Sequence, residues 1–149
     1  MPEYEMVHGA TGRVFFVKIL EEASPHRAIE EFLADNGIEF AVIKGIGGMA
    51  WARLGVFSPD ENRYYVTDVE AEPARVLEVV SLLGNSVRGP DGSYYTHLHA
   101  TLAKSPDKVY AGHLVDGRVR PFLELTIIEL VGAGEEARRL LAHRWGKRS

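Results

Sequence analysis

The 149-residue chain contains no cysteine. That removes a disulfide framework, a cysteine zinc finger, an iron–sulfur cluster and a thiol nucleophile from consideration. It also lacks a long charge-free apolar run. The most membrane-like window, residues 40–57, contains Lys44, Arg53 and the glycines Gly45, Gly47, Gly48 and Gly55, which a spanning helix does not accommodate. The opening Met-Pro-Glu-Tyr-Glu has no basic stretch leading into an apolar one and does not read as a signal peptide. These absences point to a soluble, cytoplasmic protein with no membrane partner.

The rest of the composition is that of a folded domain. Apolar residues make up 46% and charged residues 26%, which is ordinary for globular chains and excludes global disorder. The length suits one domain over residues 1–149, able to bury about two-thirds of the surface its unfolded chain exposes. Charge is uneven: residues 1–134 carry 12 Lys+Arg against 19 Asp+Glu, a net −7, and the last fifteen carry 5 against 2, a net +3. An acidic body argues against broad phosphate-driven contact with nucleic acid. The basic residues near the end, Arg138, Arg139, Arg144, Lys147 and Arg148, suit a solvated C-terminal helical tail over 134–149.

Residues 14–20 are apolar and rich in β-formers, a strand pattern. Ser24 and Pro25 supply an N-cap and a first helical position, and Gly37 a stop; between them Ala28, Ile29, Phe32 and Leu33 form a helical stripe. From Ile38 the period is mostly two. It predicts strands over 38–46 and 49–57 around a Gly47-Gly48 turn, then over 63–69, 75–83, 94–103, 109–115 and 119–131, with Asp116-Gly117 as a further turn. Residues 75–83 could also form a short helix, but Val76, Val79 and Val80 favour strand. The predicted class is α+β: a largely antiparallel sheet, one main amphipathic helix packed on it and a short C-terminal helix.

Two apparent motifs have plainer explanations. Gly45-Ile46-Gly47-Gly48-Met49-Ala50 matches a dinucleotide fingerprint, with Asp68 about twenty residues on. The segment after the glycines alternates like a strand, whereas pyrophosphate binding needs a helix N-terminus. Ser24 beside His26 is better explained by helix capping than by a hydrolase, since no G-x-S-x-G elbow exists. The acidic pair Glu70 and Glu72 sits beside Pro73 and reads as a solvated loop.

The histidines are more informative. His97 and His99 are two apart, so on a strand they share a side, about 6.6–6.8 Å apart at the backbone. Leu98, Ala100 and Leu102 take the opposite, apolar side. His113 joins the pair only if the intervening hairpin has the right parity, because directly opposed residues in an antiparallel ladder point the same way. A three-residue loop Ser105-Pro106-Asp107 sets His113 opposite His99, and a loop over 104–106 sets it opposite His97. A two-residue Ser105-Pro106 loop sets it opposite Leu98 and breaks the group, and a bulge changes the outcome again. Three imidazoles with an open fourth position recur in zinc sites, so zinc leads; iron, copper and nickel also accept imidazole. A cupin would want a glutamate soon after His-x-His, where this chain has Thr101-Leu102-Ala103-Lys104.

With these residues in view, the chain resembles the plants and prokaryotes conserved (PPC) domain family over residues 12–131. The resemblance is carried by Gly37-Ile38, Gly45-Ile46-Gly47, the run 78–85, His97-Leu98-His99-Ala100-Thr101-Leu102-Ala103 and Gly112-His113-Leu114. It implies an α+β fold, a homotrimer and, in prokaryotic members, a metal held by three histidines, here His97, His99 and His113. In plants the domain follows AT-hooks that bind A·T-rich DNA, while the domain itself trimerises and contacts nuclear proteins. This chain has no Arg-Gly-Arg-Pro hook, and where plants carry a Gly-Arg-Phe-Glu-Ile-Leu motif it reads Arg75-Val76-Leu77-Glu78-Val79-Val80. The resemblance is thus to the prokaryotic type.

Two functions follow as expectations. The first is a zinc-containing homotrimeric binding or regulatory module, with a protein or small-molecule ligand and DNA as a weakly supported partner. The second is a metalloenzyme for hydrolysis or hydration, with Glu78, Tyr95 or Thr101 as the available acid–base groups.

Overall fold

The computed structural model describes residues 2–142. Eight elements run in the order β1 (Ala10–Leu20), α1 (Pro25–Asp35), β2 (Phe40–Ser58), β3 (Arg63–Glu70), β4 (Leu77–Arg88), β5 (Tyr94–Ser105), β6 (Lys108–Val131) and α2 (Gly134–Leu141). The strands form one antiparallel sheet ordered β1-β6-β5-β4-β2-β3, and a further β6–β2 pairing makes the inner four close on themselves. No described helix is long and apolar enough to cross a membrane. Arg144, Lys147 and Arg148 of the expected basic tail lie outside the described residues.

Helix α1 starts where its chemistry requires. Ser24 is extended, its Oγ accepts the Arg27 N–H at 3.5 Å, and Pro25 takes the first turn, where a missing N–H costs nothing. Ile29 and Leu33 are buried on the inner face, and Phe32 meets Phe15 of β1 edge-on at 5.1 Å. Gly37, at φ +63°, reverses the chain so that the Ile38 N–H donates to the Leu33 carbonyl at 2.9 Å. Residues 77–88 form a strand, as the valines indicated.

Two expected turns are absent. Gly47-Gly48 lies inside the nineteen-residue strand β2, and Asp116-Gly117 inside the twenty-four-residue strand β6. The glycines serve close approach instead. A Cβ at Gly45, Gly47 or Gly48 would lie 2.4, 2.3 or 2.2 Å from the carbonyl oxygens of Glu124, Phe122 and Arg120 on β6. The ladders shift register between Gly45 and Gly47 and again between Gly47 and Met49. So β2 bends across β6 without leaving it. Gly117 makes room for the fully buried Met49, whose Cε would sit 2.0 Å from an added Cβ. Since a strand follows the glycines, the dinucleotide reading also fails, and Asp68 instead holds Arg53 at 2.8 and 3.0 Å.

The core fills the space between these bent strands and α1. Ile43, Leu82, Leu98, Leu102, Leu114 and Leu123 are fully buried there. A second cluster of Phe40, Val87 and Ala137, flanked by Tyr95 and Leu141, seats α2 against the sheet. Arg138 adds a hydrogen bond from Nε to the Arg88 carbonyl at 2.7 Å.

Candidate metal centre

On β5 the alternation is sharp. Leu98, Ala100 and Leu102 face the core, while His97 is half-buried and His99 exposed on the other side. Asn85 and Leu83 of β4 lie opposite them. On β6, Leu114 is buried and His113 half-buried, so each histidine owes its direction to an apolar neighbour the core retains.

The hairpin meets the parity condition by an unexpected route. Ser105 pairs with Lys108, leaving only Pro106 and Asp107 in the turn, and the Ser105 hydroxyl donates to Asp107 Oδ1 at 2.6 Å. This is neither of the odd loops weighed in the sequence, although the pairing beyond it is the one the Ser105-Pro106-Asp107 loop implies. Continued without interruption, the Ser105–Lys108 register would set His113 opposite Ala100, on the core side. A register shift between Ala103 and Ser105 absorbs one residue, and from Ala103↔Val109 onward the pairing sets His99 opposite His113. A bulge, not a longer loop, brings the three rings to one side.

Ring centroids are 4.9 Å apart for His97–His99, 5.1 Å for His97–His113 and 5.7 Å for His99–His113. The Nε2 atoms of His97 and His99 are 3.1 Å apart, and one nitrogen from each ring lies within 4.8 Å of the others. Bonds of about 2.0–2.1 Å at tetrahedral angles put two nitrogens about 3.3 Å apart. The His97–His99 pair therefore already has the spacing of a shared ion, and a His113 nitrogen lies within 4.8 Å of both. Neutral imidazole nitrogens suit zinc, copper, iron and nickel. The donor set fits a metal.

The other sequence candidates do not join this group. Glu78 is exposed on β4 opposite Ala103, several pairs from the histidines. Tyr95 packs into the second apolar cluster, and Thr101 is not one of the converging donors, although with Ala111 it forms the next same-side pair along from His99 and His113. Ser24 caps α1, and Glu72 holds Lys104 at 3.5 Å.

Sequence reasoning missed Tyr64. Its ring stacks on His113 at 4.5 Å and 24°, with Phe57 against it at 5.0 Å. Period two shows that Tyr64 and Tyr65 take opposite sides of β3. Only the β2–β3 and β2–β6 pairings decide which of them reaches His113, and no local signal carries that information.

The sequence profile described as the Plants and Prokaryotes Conserved (PCC) domain matches residues 6–131. This chain belongs to that family. Among solved PCC-like structures, a plant- and prokaryote-conserved protein from Pyrococcus horikoshii shares 29% identity (TM-score 0.77), covering 87% of this chain and 86% of its own. A metal-containing protein from Archaeoglobus fulgidus shares 28% (TM-score 0.78), covering 87% of each chain. A Bacteroides thetaiotaomicron structure at 23% identity (TM-score 0.68; 83% and 84% covered) shows the fold alone. No curated protein matches the PCC chain significantly.

Proposed function

We propose that this PCC-domain protein is a metal-binding homotrimer acting as a binding or regulatory module, with zinc held by His97, His99 and His113. The observation that carries the reading is the convergence of one nitrogen from each histidine within 4.8 Å on one side of the β5–β6 hairpin. The metal-containing relative at 28% identity supports it. When bound, the ion offers an open coordination position to a ligand atom. The protein's own part is to orient three imidazoles and keep their shared side open through exposed His99.

Support for self-association comes from the outer face of the sheet. Phe16 of β1, Ile46 of β2, and Val80 and Leu83 of β4 are 72%, 58%, 56% and 55% exposed, and all four line one shallow hollow. Exposed apolar surface gathered in this way is what an interface between copies covers. With a net −7 over residues 1–134, protein or small-molecule ligands are favoured over DNA as further partners.

Elemental analysis of the untagged protein tests the centre. His97→Ala and His113→Ala should each strip most of the bound metal, because two imidazoles hold an ion far less tightly than three. Full metal stoichiometry in either variant would refute the site. A second reading, a hydrolytic or hydrating metalloenzyme, rests on the same open position and needs an acid–base group beside it. Turnover that disappears together with the metal in His113→Ala would favour that reading.

A further inference from the structure

We infer that Tyr64 is a positioning residue for the metal centre, holding the His113 ring by stacking in a slot that Gly55 leaves open. This rests on the metal-binding reading above and adds a residue outside the donor set. Three strands build the slot. Gly55 of β2 lies directly opposite His113 of β6, and Tyr64 of β3 crosses the space where a side chain on Gly55 would stand. A Cβ at Gly55 would come 3.0 Å from Tyr64 Cδ1, 3.4 Å from Tyr64 Cβ and 3.3 Å from Val115 Cγ2. The ring is thereby laid at 24° to the imidazole, with centroids 4.5 Å apart, and Phe57 closes on it from β2.

The chemistry favours this arrangement at a ligand. Contact through the ring face fixes the torsions of His113 while leaving both nitrogens at the ring edge, where one can point towards His97 and His99. His99 is exposed whereas His113 is half-buried and stacked, so His113 is held more firmly than His99. A fixed imidazole gives up less rotational freedom when it binds an ion, and partners that orient a ligand commonly raise affinity.

The test compares Tyr64→Leu, Tyr64→Phe and Gly55→Ala by titrating zinc into the metal-free protein and by recording His113 ring-proton shifts without metal. Stacking of this kind is worth about 2- to 10-fold in an equilibrium. Tyr64→Leu should weaken zinc by about that factor and move the His113 ring protons as the ring current is lost, with the thermal midpoint of the metal-free protein held close to wild type. Tyr64→Phe should restore both affinity and shifts, and Gly55→Ala should move the His113 shifts less than Tyr64→Leu, because the added methyl at 3.0 Å from Tyr64 Cδ1 makes the ring give only slightly. Unchanged zinc affinity in Tyr64→Leu, or a Phe variant as impaired as the Leu variant, would overturn the inference. Loss of zinc in His97→Ala beside an unaffected Tyr64→Leu would leave the metal site standing and remove only the role of Tyr64. Zinc retained in full by the histidine variants would remove the metal reading itself.

Discussion

At the scale of single residues, the clearest electrostatic feature lies away from the histidines, where β1 meets the end of β6. The Arg13 side chain donates from Nε and Nη2 to the two oxygens of Glu129 at 3.0 and 3.1 Å, and its backbone N–H adds a third bond at 3.0 Å. These bonds hold the Glu129 carboxyl down to about 2 from an ordinary 4.5. A lowered folded value means the stabilisation is complete above the unfolded value near 4.5 and is lost as pH falls through about 2. Glu129→Gln should therefore cost stability at pH 7, on the order of 1 kcal/mol for a pair with one half-exposed partner. Denaturant midpoints should show that deficit shrinking below pH 4.5 and vanishing near 2. A deficit constant across that range would mean that shape, not charge, makes the contribution.

At the scale of elements, some of the structure was legible because its causes are local. The Ser24-Pro25 cap, the Gly37 stop and the alternation of histidine with leucine at 97–99 each follow from a few neighbouring side chains and appear where expected. The Gly47-Gly48 and Asp116-Gly117 segments were misread because glycine answers two demands that look identical in sequence. It reverses a chain, and it lets one backbone lie against another; the second depends on a strand some seventy residues away. The β5–β6 hairpin is similar, since the bulge that sets its parity leaves no mark in Lys104 or its neighbours. Close approach is testable at Gly48, where an added Cβ would lie 2.2 Å from the Arg120 carbonyl oxygen. Gly48→Ala should destabilise the fold by roughly 3 kcal/mol or more, since backbone must move. Gly132→Ala, at φ +81° in open space, should cost only about 1–2 kcal/mol for its left-handed backbone. Equal costs in chemical denaturation would contradict the crossing argument.

At the scale of the whole molecule, the outer hollow around Phe16, Ile46, Val80 and Leu83 is where association should be sought. A trimer should have a solution mass three times the 16.5 kDa of the chain by light scattering. Replacing Val80 by aspartate on this exposed face should lower that mass, with the far-ultraviolet circular dichroism of the strands unchanged, because a charge on a desolvated apolar interface is costly. A monomeric wild type would refute the trimer, and a Val80→Asp protein of unchanged mass would move the interface elsewhere. The donor set itself lies within one hairpin, whereas its support reaches to β3 through Tyr64.

The β6–β2 pairing has one more effect. A ladder that returns to its starting strand gives each inner member two neighbours, and among the described residues only β1 and β3 have a single one. Along their whole length, these two strands are the ones that strand addition by a stray chain could extend. Arg63, Asp68 and Glu70 guard β3, and Arg13 and Lys18 guard β1. Charge at those borders discourages runaway pairing, so a protein with so much β-structure has its two one-sided strands flanked by ions.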